Sequence, residues 1–370
     1  MSNDFRSLLS TFEAATGRKP KTSQNTPAID KDRLKSPKKL LDLTTQLWNY
    51  SQIRQSAEAS KIPSVLVDER PIHVAVCLCI VNALPHERVW EYWCSQGNAR
   101  ISADLYLHAK HREAIHSDYA RSKLLRISHS PNWNDVRVVH AMMSLVEEAL
   151  KDPKMTHIIF GTESCIPICP LNEVHLKHGR SYVRFYGQDQ CSRFDEQDVW
   201  GVLTRCVPLQ AIHKALPGWC CLCRSHAQGI LDMQNEHLEG QKLDDAFRDC
   251  WAPEEPFFPT ALALLGLLAQ TENKALTFAE WNSRARNHKD RAHPLEWDTQ
   301  FCRDLVQDLR QNHGCIILRK MKREVSIRAW LEAVEKRDVV PANCGTKRTV
   351  ENIMSDVILS LPSRKFKPGW

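Results

Sequence analysis

Residues 72–81 form a continuous apolar run, bounded by a charged stretch before it and Asn82 after it. A strand with one face in water alternates apolar and polar residues. This run does not, so it reads as a strand buried on both faces, as in a parallel sheet. Parallel neighbours need long crossovers, usually helical, and the following residues supply them. A helix is expected over 85–96, with Trp90 and Trp93 on one face, then strands over 103–109 and 124–127. A strongly periodic helix over 135–150 leads to a strand over 155–161. This alternation predicts an α/β fold, doubly wound, with ligands at the carboxyl ends of the strands. The later half is more mixed. A short strand over 219–222 enters a helix over 224–231, and a helix follows over 257–270. A helix over 302–312, a strand over 315–318 and a helix over 325–336 complete the reading, with no internal repeat.

Three regions are expected in the 370 residues. Residues 1–70 hold a short amphipathic helix around Phe5, Leu8, Leu9 and Phe12. A basic linker over 17–39 follows, then a helix using Leu40, Leu41, Leu43 and Leu47. The folded domain spans 71–336, and 337–370 is a C-terminal extension. The formal net charge is +6, from 50 basic and 44 acidic residues. So mild an excess suits an anionic ligand such as a nucleotide diphosphate and does not point to nucleic acid. The 14 cysteines are too spread out for a secreted disulfide scaffold. Cys220, Cys221, Cys223 and His226 lack the separate second ligand pair of a zinc site, so the cysteines read mainly as small buried apolar residues. The first residues do not resemble a signal peptide, and no window approaches 18 apolar residues. As written the chain reads as soluble and cytoplasmic, with membrane association only if its N-terminus is truncated.

The stretch 250–260 places adjacent carboxylates, Glu254 and Glu255, among prolines ahead of an apolar helical run. A carboxylate held at the mouth of a fold serves as a general base; an acidic first turn complementing the helix dipole accounts for the same residues. Among familiar phosphate cradles, neither Gly-x-Gly-x-x-Gly nor a Walker loop occurs, and there are only 13 glycines. The Asp30-Lys-Asp32 pair lies in the linker, so a bound diphosphate would need Arg or Lys as its counter-ion. The strand over 315–318 runs into Arg319 and Lys320, which could meet a leaving phosphate; Lys322 and Arg323 continue the run, as a solvated strand end would. Trp281 could stack on a sugar face and His293 could meet a hydroxyl or phosphate, and both also suit structural roles.

Taken in order, these landmarks resemble the core-2/I-branching β-1,6-N-acetylglucosaminyltransferases, including their plant and algal branch. The resemblance runs over about residues 71–335. It rests on 85–90, 105–109 with His108, Trp133 before a helix, 158–167 with Glu163 and Ser164, 219–224, 253–260, Trp281, His293 and 318–321. It implies a variant GT-A fold: a Rossmann-like, mostly parallel central sheet with helices on both faces. It also implies inverting, metal-independent transfer of N-acetylglucosamine from UDP-N-acetylglucosamine, or of a related sugar from its UDP-sugar, to a glycan or glycoprotein acceptor. No cofactor is implied. Glu255 would be the base, and Lys320 with Arg319 would stabilise departing UDP. His108 and Trp133 would lie on the nucleotide side. Glu163, Ser164, Trp219, Glu254, Trp281 and His293 would lie on the acceptor or sugar side. The chain departs from the pattern at Glu254, usually Asp, at Pro256, usually His, and at Ser225, where animal members carry an acceptor-binding Glu. Family members are normally anchored in the Golgi.

Overall fold

The computed structural model describes residues 36–58, 70–187, 202–216, 219–280, 294, 296, 303–321 and 325–335. The expected helix near residue 8, most of the linker and the C-terminal extension lie outside them.

Helix α1, Pro37–Glu58, begins where the linker was expected to end. The Ser36 hydroxyl accepts the Lys39 N–H at 3.2 Å, and Pro37, which has no N–H to leave unpaired, suits the first helical position. Leu40 and Leu47 are buried. The Thr44 hydroxyl donates to the Cys206 carbonyl at 2.8 Å. Residue 71 therefore marks where the sheet begins, while packing begins with α1.

Then follow β1 (Ile72–Ile80), α2 (Glu87–Ser95), β2 (Ile101–Ala109), the short α3 (Asp118–Ser122), α4 (Arg137–Leu150) and β3 (His157–Thr162). Five short strands come next: β4 (Ile166–Pro167), β5 (Ser181–Tyr182), β6 (Phe185–Tyr186), β7 (Lys214–Ala215) and β8 (Cys221–Cys223). After them come α5 (Arg224–Glu236), α6 (Glu254–Leu264), β9 (Thr271–Glu272), β10 (Thr277–Ala279), α7 (Arg303–Gln311), β11 (Ile317–Arg319) and α8 (Ile327–Val334).

The central sheet has the order β2-β1-β3-β8-β5-β9. β1 is parallel to both β2 and β3, β8 is antiparallel to its two neighbours, and β9 is parallel to β5. Val74 to Leu78 have no exposed surface, as the unbroken apolar run requires. Successive side chains of a strand point to opposite faces. Val74, Val76 and Leu78 pack in one core with Trp90 and Trp93 of α2. On the other face the Cys77 thiol lies 3.9 Å from the Leu145 carbonyl of α4. Helices thus flank the sheet as in the expected Rossmann-like GT-A class. Because β2 and β3 lie on opposite sides of β1, a crevice opens at the carboxyl ends, where the strand order reverses.

Three elements differ from the reading of the sequence. The strand expected over 124–127 is one bridge, Leu107 to Leu124; beyond it the chain leaves the edge, and the Arg112 guanidinium donates to the Arg126 carbonyl. The helix expected over 257–270 starts earlier and stops at Leu264. Gly266, at φ +71°, donates to the Ala263 carbonyl at 2.9 Å, and Leu267 donates to that of Leu262 at 2.8 Å. This is a Schellman stop; the leucines beyond it carry the apolar pattern past the true helix end. Finally, β11 lies in a second sheet of order β10-β11-β4 rather than the central one. Trp93 and Trp330 bind this layer from α2 and α8, donating to the Cys169 and Pro167 carbonyls at 2.7 and 2.5 Å. The eleven described cysteines are free thiols, nine of them buried, as their reading as small core residues requires. Among the described residues no helix is long and apolar enough to cross a membrane.

Candidate active site

Glu254 and Glu255 form the first turn of α6. The acidic-helix-start reading is therefore correct for their position, and the helix dipole favours negative charge there. Their surroundings go well beyond a solvated cap. Ala252, just ahead, has φ +46°, a left-handed conformation that costs a residue with a Cβ about 1–2 kcal/mol. The chain bends there and turns both carboxylates inward. Glu254 Oε2 is shut off from solvent without a hydrogen-bond partner. Burial first, and then the charge of Glu255, push the Glu254 carboxyl up to about 7, against a smaller downward pull from Arg319 and Lys214.

Glu255 is held differently. Its Oε2 lies 2.6 Å from Lys214 Nζ, with only 14% and 10% of the two side chains exposed. Lys214 is in the two-residue strand β7, which α6 itself positions. The Thr260 hydroxyl accepts the His213 N–H and lies within hydrogen-bond reach of the His213 carbonyl, each at 3.2 Å. Sequence reasoning missed Lys214. Its only signal is a lone lysine among apolar residues, Ile212, Ala215 and Leu216.

The expected cation cluster comes to the same place from the second sheet. The Arg319 guanidinium lies over the Trp219 ring, 4.8 Å from its centroid, a stacking that favours a desolvated cation. Arg319 also draws down Glu254. Burial raises the Cys165 thiol, against the opposing charge of Arg319. Glu163 and Ser164 follow β3 directly. The Ser164 carbonyl accepts the Met321 N–H at 2.8 Å, tying the end of β3 to the residue after Lys320. Burial, then the charges of Glu163 and Glu254, push up the Cys79 thiol near the end of β1. Glu163, Glu254, Glu255, Lys214, Arg319 and Trp219 thus gather at the carboxyl end of β1 and β3, where the topology opens its crevice. Lys320 stands at the rim, paired with Glu296 at 3.0 Å. A partly exposed pair of this kind contributes about 0–1 kcal/mol.

The two residues assigned to the nucleotide side differ in their surroundings. His108 is buried beneath the segment that follows Ser128. Its Nε2 accepts the His129 N–H at 3.0 Å, so its proton sits on Nδ1, which has no hydrogen-bond partner. Burial and the stacked His129 lower the imidazole to about 4, so it is neutral at pH 7. Trp133 is 63% exposed and meets Trp251 edge to face at 4.7 Å. That contact places it near the Glu254 end of α6, since Trp251 precedes Ala252. Trp281 and His293 lie outside the described residues.

No known family profile matches the chain. It is similar to a rice protein, Glycosyltransferase BC10 of Oryza sativa subsp. japonica, with 20% identity over 265 residues. The aligned region covers 62% of this chain and 65% of the rice protein, so the chain spans somewhat less than two thirds of that relative. The likeness supports the glycosyltransferase class in general. It does not reach the N-acetylglucosaminyl branch that the motifs resemble.

Proposed function

We propose that this protein is an inverting glycosyltransferase. It moves N-acetylglucosamine or a related sugar from a UDP-sugar to a hydroxyl of a glycan or glycoprotein. The observation that carries this reading is the meeting of the Glu254–Glu255 turn with Lys214, Arg319 and Trp219 at the carboxyl end of the sheet. A glycosyl transfer needs a proton acceptor on one side of the anomeric carbon and fixed positive charge on the other. The acceptor hydroxyl oxygen attacks the anomeric carbon as the bond to the diphosphate breaks. Its proton passes to Glu255, and the diphosphate leaves with the bonding electron pair toward Arg319 and Lys320. Lys214 occupies Glu255 Oε2, and Oε1 meets the acceptor. Two protein cations at the leaving group suit a reaction that needs no metal there. The similarity to a rice protein named as a glycosyltransferase supports the class.

A closed ion pair on the proposed base favours one other reading: a sugar-nucleotide or glycan-binding protein of the same fold, without turnover. UDP release from UDP-N-acetylglucosamine by the full chain, with EDTA present and across a panel of glycans, separates the two. The expected result is acceptor-dependent release that Glu255→Gln lowers by about 10²–10⁴-fold. Tight UDP-sugar binding without release under any acceptor would select the binding protein, and no binding at all would reject both.

A further inference from the structure

At the opposite end of the sheet, three ligand-type side chains converge. His73, near the start of β1, has its Nε2 at 3.3 Å from Asp104 Oδ2 of β2 and 3.3 Å from Asp152 Oδ2, just after α4. The three ligand atoms lie within 4.8 Å of one another. His73 is only 9% exposed, and its Nε2 makes no hydrogen bond to either carboxylate. The nitrogen is equidistant from the two carboxylate oxygens. The other ring nitrogen, Nδ1, is 2.7 Å from the Ser102 hydroxyl. In the tautomer whose Nδ1–H donates to Ser102, the Nε2 lone pair faces two carboxylates, and a cation between the three relieves that repulsion. Orientation of a histidine through its second nitrogen is the usual support for a metal ligand.

We propose that His73, Asp104 and Asp152 bind a divalent transition-metal ion of the zinc type. A tetrahedron with metal–ligand bonds of about 2.0–2.1 Å has edges of about 3.3–3.4 Å, and the two nitrogen–oxygen separations match this. Imidazole nitrogen and carboxylate oxygen are both ligands that zinc accepts, with water completing the shell. Lys123 Nζ, 3.9 Å from the outer oxygen Oδ1 of Asp104, offsets part of the negative charge. A cavity of about 800 Å³, lined by Lys123, Glu147 and Lys151 among others, borders Asp104. Cys79, which feels the charge of Glu254, lies six residues up β1 from His73, roughly 20 Å along the strand. The ion ties β1, β2 and the α4–β3 turn together and takes no part in transfer.

The test is zinc binding by the full chain after EDTA treatment and buffer exchange, followed by calorimetry and thermal melting. The wild type is expected to bind one more zinc ion per chain than Asp152→Asn or Asp104→Asn, or to bind it at least tenfold more tightly. Zinc is also expected to raise the melting temperature of the wild type but not of these variants. Both carboxylates keep some exposure, and the Asp152→Asn change retains the oxygen that accepts the Lys154 N–H, so the variants fold even if His73→Gln does not. Equal stoichiometry, affinity and melting response in wild type and both variants would overturn the proposal, whatever the cysteines bind.

Discussion

Glu254 and Glu255 are neighbours of the same type, and the fold gives them different chemistry. Glu255 faces a lysine; Glu254 faces burial and its neighbour's charge. The second situation has a definite pH signature. Burial and the charge of Glu255 push the Glu254 carboxyl from its ordinary 4.5 in the unfolded chain up to about 7 in the folded one. Below 4.5 both states are protonated and the residue is neutral toward stability. Between the two values only the native state holds the proton, so stability falls as pH rises, with the full cost present above 7. His86, His108 and His157, which burial lowers to about 4, act in the opposite sense: they remove stability as pH falls from 6.5. They are common to both proteins in a comparison with Glu254→Gln. The expected difference curve, by urea unfolding, therefore rises by about 1–3 kcal/mol in favour of the variant between pH 4.5 and 7. A flat difference would show that the carboxyl is not buried as described. At this scale the sequence reveals residue types but few meetings. The carboxylate pair and the Arg319–Lys320 pair were legible because they interrupt apolar runs. Lys214 was not, because nothing local to β7 marks it as the partner of Glu255.

Elements were read well where one periodicity runs unopposed. β1, α2, α4 and β3 lie within two residues of their expected bounds because each has a face or core that the pattern states directly. α6 was misread at both ends for a physical reason. Its residues from Pro256 to Leu264 are all buried, so it lacks the polar face that normally delimits a helix, and backbone geometry sets its limits. Gly266 has the decisive conformation. A Cβ there would lie 3.0 Å from the Ser51 Cβ and 3.3 Å from the Ser51 carbonyl, at φ +71°. Gly266→Ala is therefore expected to cost about 1–2 kcal/mol in urea unfolding, and to loosen α1, which carries Ser51. An unchanged urea midpoint would mean that α6 ends by some other means.

Over the whole molecule, α1 is the clearest case of an element whose place its own sequence does not state. It reads as a helix beside a tether, yet Leu40, Thr44 and Leu47 are seated against the α/β body. A chain lacking residues 1–58 is expected to be less stable than one lacking residues 1–35 by about 3 kcal/mol or more, since each leucine contributes about 1.5–3 kcal/mol when buried. Equal urea midpoints for the two truncations would show that the helix is not docked in solution. By itself the sequence determined the α/β class, the doubly buried central strand, the carboxylate turn and the strand ending in two cations. Each of these is a property of residues close together in the chain, whose periodicity and type state which side must be buried. Only the tertiary structure decided that β8 enters the sheet antiparallel, that β11 joins a second sheet, and that Lys214, Arg319 and Trp219 meet Glu254 and Glu255. Those meetings depend on long-range pairing, which is the sum of many weak contacts between distant segments, and no local pattern encodes such a sum.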